Sequence, residues 1–123
     1  MVIRTLRSGL RTAAGSTDTY TFTNVTGKLL KINITNSAST DYKVYTLQAD
    51  GATVNEYILG ASGATVTVAT ASSFYPGIAL CDAAGSSLTV TAVPLVIGWN
   101  SVKVDASNLS AADTWAAELT LEQ

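Results

Sequence analysis

The chain has no histidine, a single cysteine, two prolines and, over 123 residues, only 13% charged side chains. Without histidine, the usual zinc sites and the histidine-based catalytic triads are excluded on inventory alone. Cys81 has no partner for an intramolecular disulfide and no imidazole to activate it, so in the apolar-leaning run 78–81 it reads as a small buried hydrophobe. Such cysteine usage fits synthesis in a reducing cytoplasm. No apolar run approaches the roughly 20 residues of a membrane helix, and no apolar core of signal-peptide length follows the N-terminal arginines, so neither membrane insertion nor Sec export is expected.

The charge that is present is placed unevenly. Residues 1–11 hold Arg4, Arg7 and Arg11 and no acid, while four lysines against nine carboxylates leave the remainder at net −5. Three arginines on an acidic body neutralise little phosphate, and no basic stripe interleaves with aromatics, so nucleic acid is a poor partner. Threonine, serine and alanine make up much of the rest, which suits strands facing water or a polar protein surface.

A single domain accommodates this length without metal or disulfide. Its pattern is organised around residues 42–59, where aromatic and β-branched runs flank Asp50-Gly51, a dipeptide that takes the positive φ of a hairpin turn. Upstream, Thr17, Thr19, Thr21 and Thr23 alternate with a face holding Tyr20 and Phe22. A turn is expected at Thr26-Gly27, followed by a strand with Leu30, Ile32 and Ile34 inward and Leu29 and Lys31 outward. Residues 49–54 and 61–66 match at a twelve-residue offset, the spacing of a meander of short strands. Downstream, Leu88 and Val90 mark another inward face, Pro94 ends or bulges a strand, and Gly98-Trp99-Asn100 interrupts alternation before Val102 and Val104. Residues 105–113 read as a loop. The segment 114–123 has helix-capping features, but Trp115, Ala117, Leu119 and Leu121 alternate without a break and favour a strand.

The expected fold is therefore all-β, an antiparallel β-sandwich, jelly-roll-like, of about eight or nine short strands over residues 17–123. Residues 1–16 are expected to form an N-terminal extended arm. They show no strand alternation, and Ile3, Leu6 and Leu10 recur at helical spacing in a segment too short to be a stable helix by itself. Its arginines and apolar residues, Ile3, Arg4, Leu6, Arg7, Leu10 and Arg11, are the candidate partner-binding set.

No constellation for chemistry emerges elsewhere, and the chain is expected to be no enzyme and to use no cofactor. Residues 60–64, Gly-Ala-Ser-Gly-Ala, lack the spacing and the strand-to-helix context of a nucleophile elbow. Aspartates 18, 41, 50, 82, 105 and 113 lie at or near turns, where a carboxylate caps backbone N–H groups; a loop calcium site built from two of them is the alternative, although nothing reads D-x-D-x-D. Among the aromatics, Trp99, between Gly98 and Asn100, is the candidate for an exposed ligand or partner contact.

Taken together, the Thr/Ala/Ser-rich strands, the short N-terminal arm and the lack of histidine resemble tailed-phage virion proteins. The resemblance is closest to the decoration, or cement, proteins on the outside of phage heads. It implies a non-enzymatic role in the virion: many copies, made in the host cytoplasm, bind the major capsid protein or another virion protein and stabilise the head, often as trimers. Two alternatives accompany it, a carbohydrate- or receptor-binding module acting through Trp99 or a tyrosine cluster, and a tail or head-completion component that forms rings or tubes.

Overall fold

Period-two alternation in the sequence becomes strand wherever it is unbroken, and β10 (Thr114–Glu122) is the clearest case. Its burial alternates through all nine residues, with Trp115, Ala117, Leu119 and Leu121 inside. The computed structural model describes residues 2–60, 64–75, 77–78 and 93–123, excluding the side chains of 77–78, 93–96 and 98–100. No helix occurs among the described residues. Cys81, Leu88, Val90 and the side chain of Trp99 lie outside them.

One edge of β10 pairs antiparallel with β3 (Thr17–Asn36), and the other with β1 (Ile3–Arg7) and β2 (Arg11–Thr12). The first part of β3, Thr17 to Leu29, pairs with β9 (Val93–Ser107), and its last turn of sequence, Ile32 to Thr35, also pairs with β7 (Ala71–Phe74). Beyond β9 lies β4 (Thr40–Leu47), whose far edge takes β5 (Val54–Leu59) and β6 (Val66–Val68). The short β8 (Gly77–Ile78) pairs with the start of β9. The main path runs β1-β10-β3-β9-β4-β5, antiparallel throughout. The all-β antiparallel expectation holds; the pairing joins the strands into one continuous sheet and does not by itself divide them into the two sheets of a jelly roll.

The hairpin over residues 42–59 forms as read, with β4 and β5 joined through Asp50 and Gly51. Gly51 takes φ 72°, and its N–H donates to the Gln48 carbonyl at 2.9 Å. The Asp50 carboxylate accepts from the backbone N–H of Ala52 and Thr53, both at 2.9 Å. These bonds and one from the Thr53 hydroxyl hold its pKa down at about 2.

The expected turn at Thr26-Gly27 is not a turn. Chain continues through it as a twenty-residue strand, and the break in alternation is absorbed as register shifts against β9 between Phe22 and Gly27. Asn24 at φ 54° and Gly27 at φ 114° carry the distortion. On β9 the same irregularity falls between Asn100 and Ile97, within the stretch where alternation breaks in the sequence, and the strand continues through it; residues 105–107, expected in a loop, still belong to β9. A further bulge, opposite Thr120 and Leu121, inserts Leu30 as an unpaired residue. Ile32 and Ile34 face inward as expected, but the bulge exchanges the two leucines: Leu29 is fully buried and Leu30 only half-buried.

Inward residues from β3, β4, β6, β9 and β10 meet in one core that includes Phe22, Val25, Leu29, Ile32, Val44, Val104, Trp115 and Leu119. Tyr20 and Phe22 meet edge to face, with ring centroids 4.8 Å apart.

Gly27 is where this architecture tolerates least. A Cβ there would lie 2.6 Å from the Glu122 carbonyl oxygen, on a backbone conformation that L-residues rarely adopt. Gly27→Ala should destabilise the fold by about 1–3 kcal/mol, the cost of one strained backbone site, with the close contact adding to it. A fall in the urea midpoint at unchanged slope is the expected readout.

Candidate interaction surfaces

The N-terminal segment is extended, but it does not stand away from the body. Ile3 to Arg7 pairs residue for residue with Glu122 to Glu118 of β10, so the expected arm is the edge strand of the domain's own sheet. Helical spacing of Ile3, Leu6 and Leu10 misled because period and face separate here: Leu6 lies opposite Leu119 and packs on the core, while Ile3 lies opposite Glu122 on the outer face.

The six candidate residues therefore divide. Arg7 Nε donates to Glu118 Oε1 at 3.1 Å, an exposed pair within the chain. Arg11 donates to Asp18 from Nε at 2.9 Å and from Nη2 at 3.2 Å. Its guanidinium carbon also lies 5.3 Å from the Tyr20 ring centroid and 5.9 Å from that of Trp115. Asp18 Oδ2 accepts a second bond, from Trp115 Nε1 at 2.9 Å. Arg11 and Leu6 thus serve the fold. Ile3, Arg4 and Leu10 remain exposed, Ile3 at 52% and Leu10 at 76%, and Val2 joins them at 61%.

Sequence reading missed a second surface, a groove of about 390 Å³ on the outer face of β3, β9 and β4. Cross-strand register builds it: Thr19 and Lys43 flank Asp105, and Thr17 lies opposite Ser107. Thr65 and Lys103 complete the lining. Asp105 Oδ2 accepts from Tyr45 Oη at 2.7 Å, and Lys103 Nζ lies 4.0 Å from Oδ1. Burial, and then the neighbouring Asp105, raise the Tyr45 pKa far above its ordinary value and keep the phenol protonated as donor. Alternation of Lys43, Lys103 and Asp105 with buried valines signalled an outer face in the sequence, but only pairing places the three side by side.

The described aspartates are occupied structurally, and Asp82 lies outside the described residues. Asp18 and Asp105 are bonded as above, Asp41 accepts from the Thr67 hydroxyl at 2.6 Å, and Asp50 and Asp113 accept from backbone N–H groups of their own turns. Among the described residues, no group of three or more His, Cys, Asp or Glu side chains could hold a metal ion. The Trp99 candidate receives no placement, since its side chain lies outside the described residues.

The Arg11–Asp18 contact has a pH consequence. Bonding to Arg11, and secondarily to Trp115, depresses the Asp18 pKa against an opposing desolvation. A depressed carboxylate contributes stability that is complete above its unfolded pKa of about 3.9 and lost as pH falls through the lower folded value. Asp18→Asn should be less stable than the parent at pH 7 by about 1.5–3 kcal/mol, the worth of hydrogen bonds to a charged group. Urea unfolding of both proteins should show that gap closing as pH is lowered from about 4 through the folded Asp18 pKa.

Comparison with protein-family models, with curated proteins and with solved structures found no match for this chain.

Proposed function

We propose that the protein is a non-enzymatic assembly component that works by laying its N-terminal edge against other protein surfaces. The concrete form that its sequence resembles is a decoration protein of a tailed-phage head, bound to the major capsid protein. The observation that carries this reading is the concentration of exposed apolar side chains, Val2, Ile3 and Leu10, on and beside the edge strand that carries Arg4, while the other large hydrophobics among the described residues are mostly inside. An edge strand that shows apolar side chains together with unfilled backbone donors and acceptors is a template for a partner. The acid and hydroxyl inventory supports the same reading, since the described aspartates are bound up in turns and ion pairs.

A second reading, a glycan- or receptor-binding module, is favoured by the groove at Lys43, Asp105 and the surrounding hydroxyls, groups that match the donors and acceptors of a sugar. It predicts saccharide binding that Lys43→Ala weakens.

Deleting residues 1–16 would be a poor test of the assembly reading, because it also removes β1, β2 and the Arg11 anchor. The combined variant Val2→Ser, Ile3→Ser, Leu10→Ser alters exposed side chains only. It should fold like the parent by circular dichroism and bind undecorated heads at least about tenfold more weakly, a loss of some 1.4 kcal/mol. Unchanged binding would remove the edge from the function, and binding of neither protein would remove the decoration role.

A further inference from the structure

The two ends of the strand order, β1 and β5, are complementary to each other. Among the described residues β1 pairs only with β10 and β5 only with β4, each through one side of its backbone, and no described strand lies on the other side. Resting on the assembly reading above, we infer that copies of this chain join edge to edge, β1 of one copy antiparallel to β5 of the next, with Arg4 opposite Glu56.

Register follows from continuity of the sheet's faces. Ile3 shares the outer face with Glu122, and Tyr57 shares the outer face with Tyr45 and Lys103. An intermolecular ladder that keeps outer face with outer face must set Ile3 opposite Tyr57 or two residues to either side, because a slip of one residue reverses every side chain. Of these registers, Ile3 opposite Tyr57 puts Arg4 against Glu56, and Tyr57 and Glu56 are the two β5 residues that lie between the bulges. A shift of two sets Arg4 against Ile58 or Val54 and leaves both charges unmatched. The favoured register also covers apolar surface that the monomer leaves open, since Ile3, 52% exposed, meets Tyr57, 37% exposed.

Charge argues against the symmetric alternative. Pairing β1 with β1 of another copy gathers Arg4 and Arg7 from both chains and supplies no new acid, whereas β5 offers Glu56 on an exposed stretch. Joining one edge to a different edge is a heterologous contact, so it builds rings or filaments and not a closed pair. Bulges at β4–β5 flank this stretch and keep the matched length short, which makes the association concentration-dependent. Leu10 lies beyond the paired residues and stays free for a lattice surface.

The test is a charge exchange read by sedimentation velocity over a range of protein concentrations, with no phage heads present. The parent should sediment as concentration-dependent oligomers, Arg4→Glu and Glu56→Arg should each shift to monomer, and the double variant should regain the parent's oligomers. Circular dichroism and thermal melting check that all four proteins are folded, which the exposure of both side chains favours. A parent that stays monomeric at every concentration, single variants that oligomerise like the parent, or a double variant that fails to recover would each overturn the inference. Because head binding is not the readout, such a failure leaves the decoration role to its own test.

Discussion

One strand has to serve two neighbourhoods, and the rest of the fold is arranged to let it. The first part of β3 pairs with β9, the last part with β10 and β7, and near Leu29 it pairs with β9 and β10 at once. A strand cannot change partners without an irregularity that turns it, and bulges supply such turns locally. Here they fall between Phe22 and Gly27 and again at Leu30. The side-chain-free backbone at Gly27 passes against the carbonyl of Glu122, so the bend of β3 also fixes where β10 ends.

A second fastening joins the beginning of the chain to its end. Asp18, on β3, binds Arg11 from the N-terminal segment and the indole N–H of Trp115 from β10, while Trp115 itself is fully buried and tilts against Tyr42 at 5.8 Å. Burying an indole is favourable only when its N–H finds an acceptor, and a carboxylate in that position gains from a cation beside it. The three groups satisfy one another. Once Arg11 is held there, β1 is brought alongside β10, and an arm becomes the outermost strand.

Strands with unbroken alternation, β10 above all, were legible residue by residue, and so was the hairpin through Asp50 and Gly51. What was hidden has one physical origin. Alternation reports which face a side chain takes relative to its immediate neighbours, and a bulge resets that phase without leaving a mark that a turn would not also leave. Thr26-Gly27 looked like a turn because glycine at positive φ serves both purposes, and Leu29 and Leu30 exchanged places because adjacent leucines carry no phase of their own. The arm was misread for a different reason. In Ile3 to Arg7 only Leu6 packs on the core and the edge position leaves Ile3, Arg4 and Arg7 in water, so the apolar and basic residues have little reason to alternate. Likewise the groove at Asp105 depends on three strands meeting, which no local pattern encodes.

These observations bear on what kind of work the molecule can do. Charge is scarce, and the structure spends much of it internally: Arg7 on Glu118, Arg11 on Asp18, Asp50 and Asp113 on their turns, Asp41 on Thr67. An exposed pair such as Arg7–Glu118 contributes little to stability, and the part-buried Arg11–Asp18 pair more, but all these contacts alike withdraw charge from recognition. Recognition then falls to the groups that remain open, the backbone of the outer strands, the apolar residues beside them and isolated charges such as Arg4 and Glu56. A surface of that composition recognises through strand geometry and register, with charge selecting among registers, because backbone hydrogen bonds are the same for every sequence and cannot discriminate by themselves. Short edges of this kind bind weakly one at a time. Their usefulness grows with the number of copies engaged together, since each further contact on a common assembly is made at the high effective concentration set by those already in place.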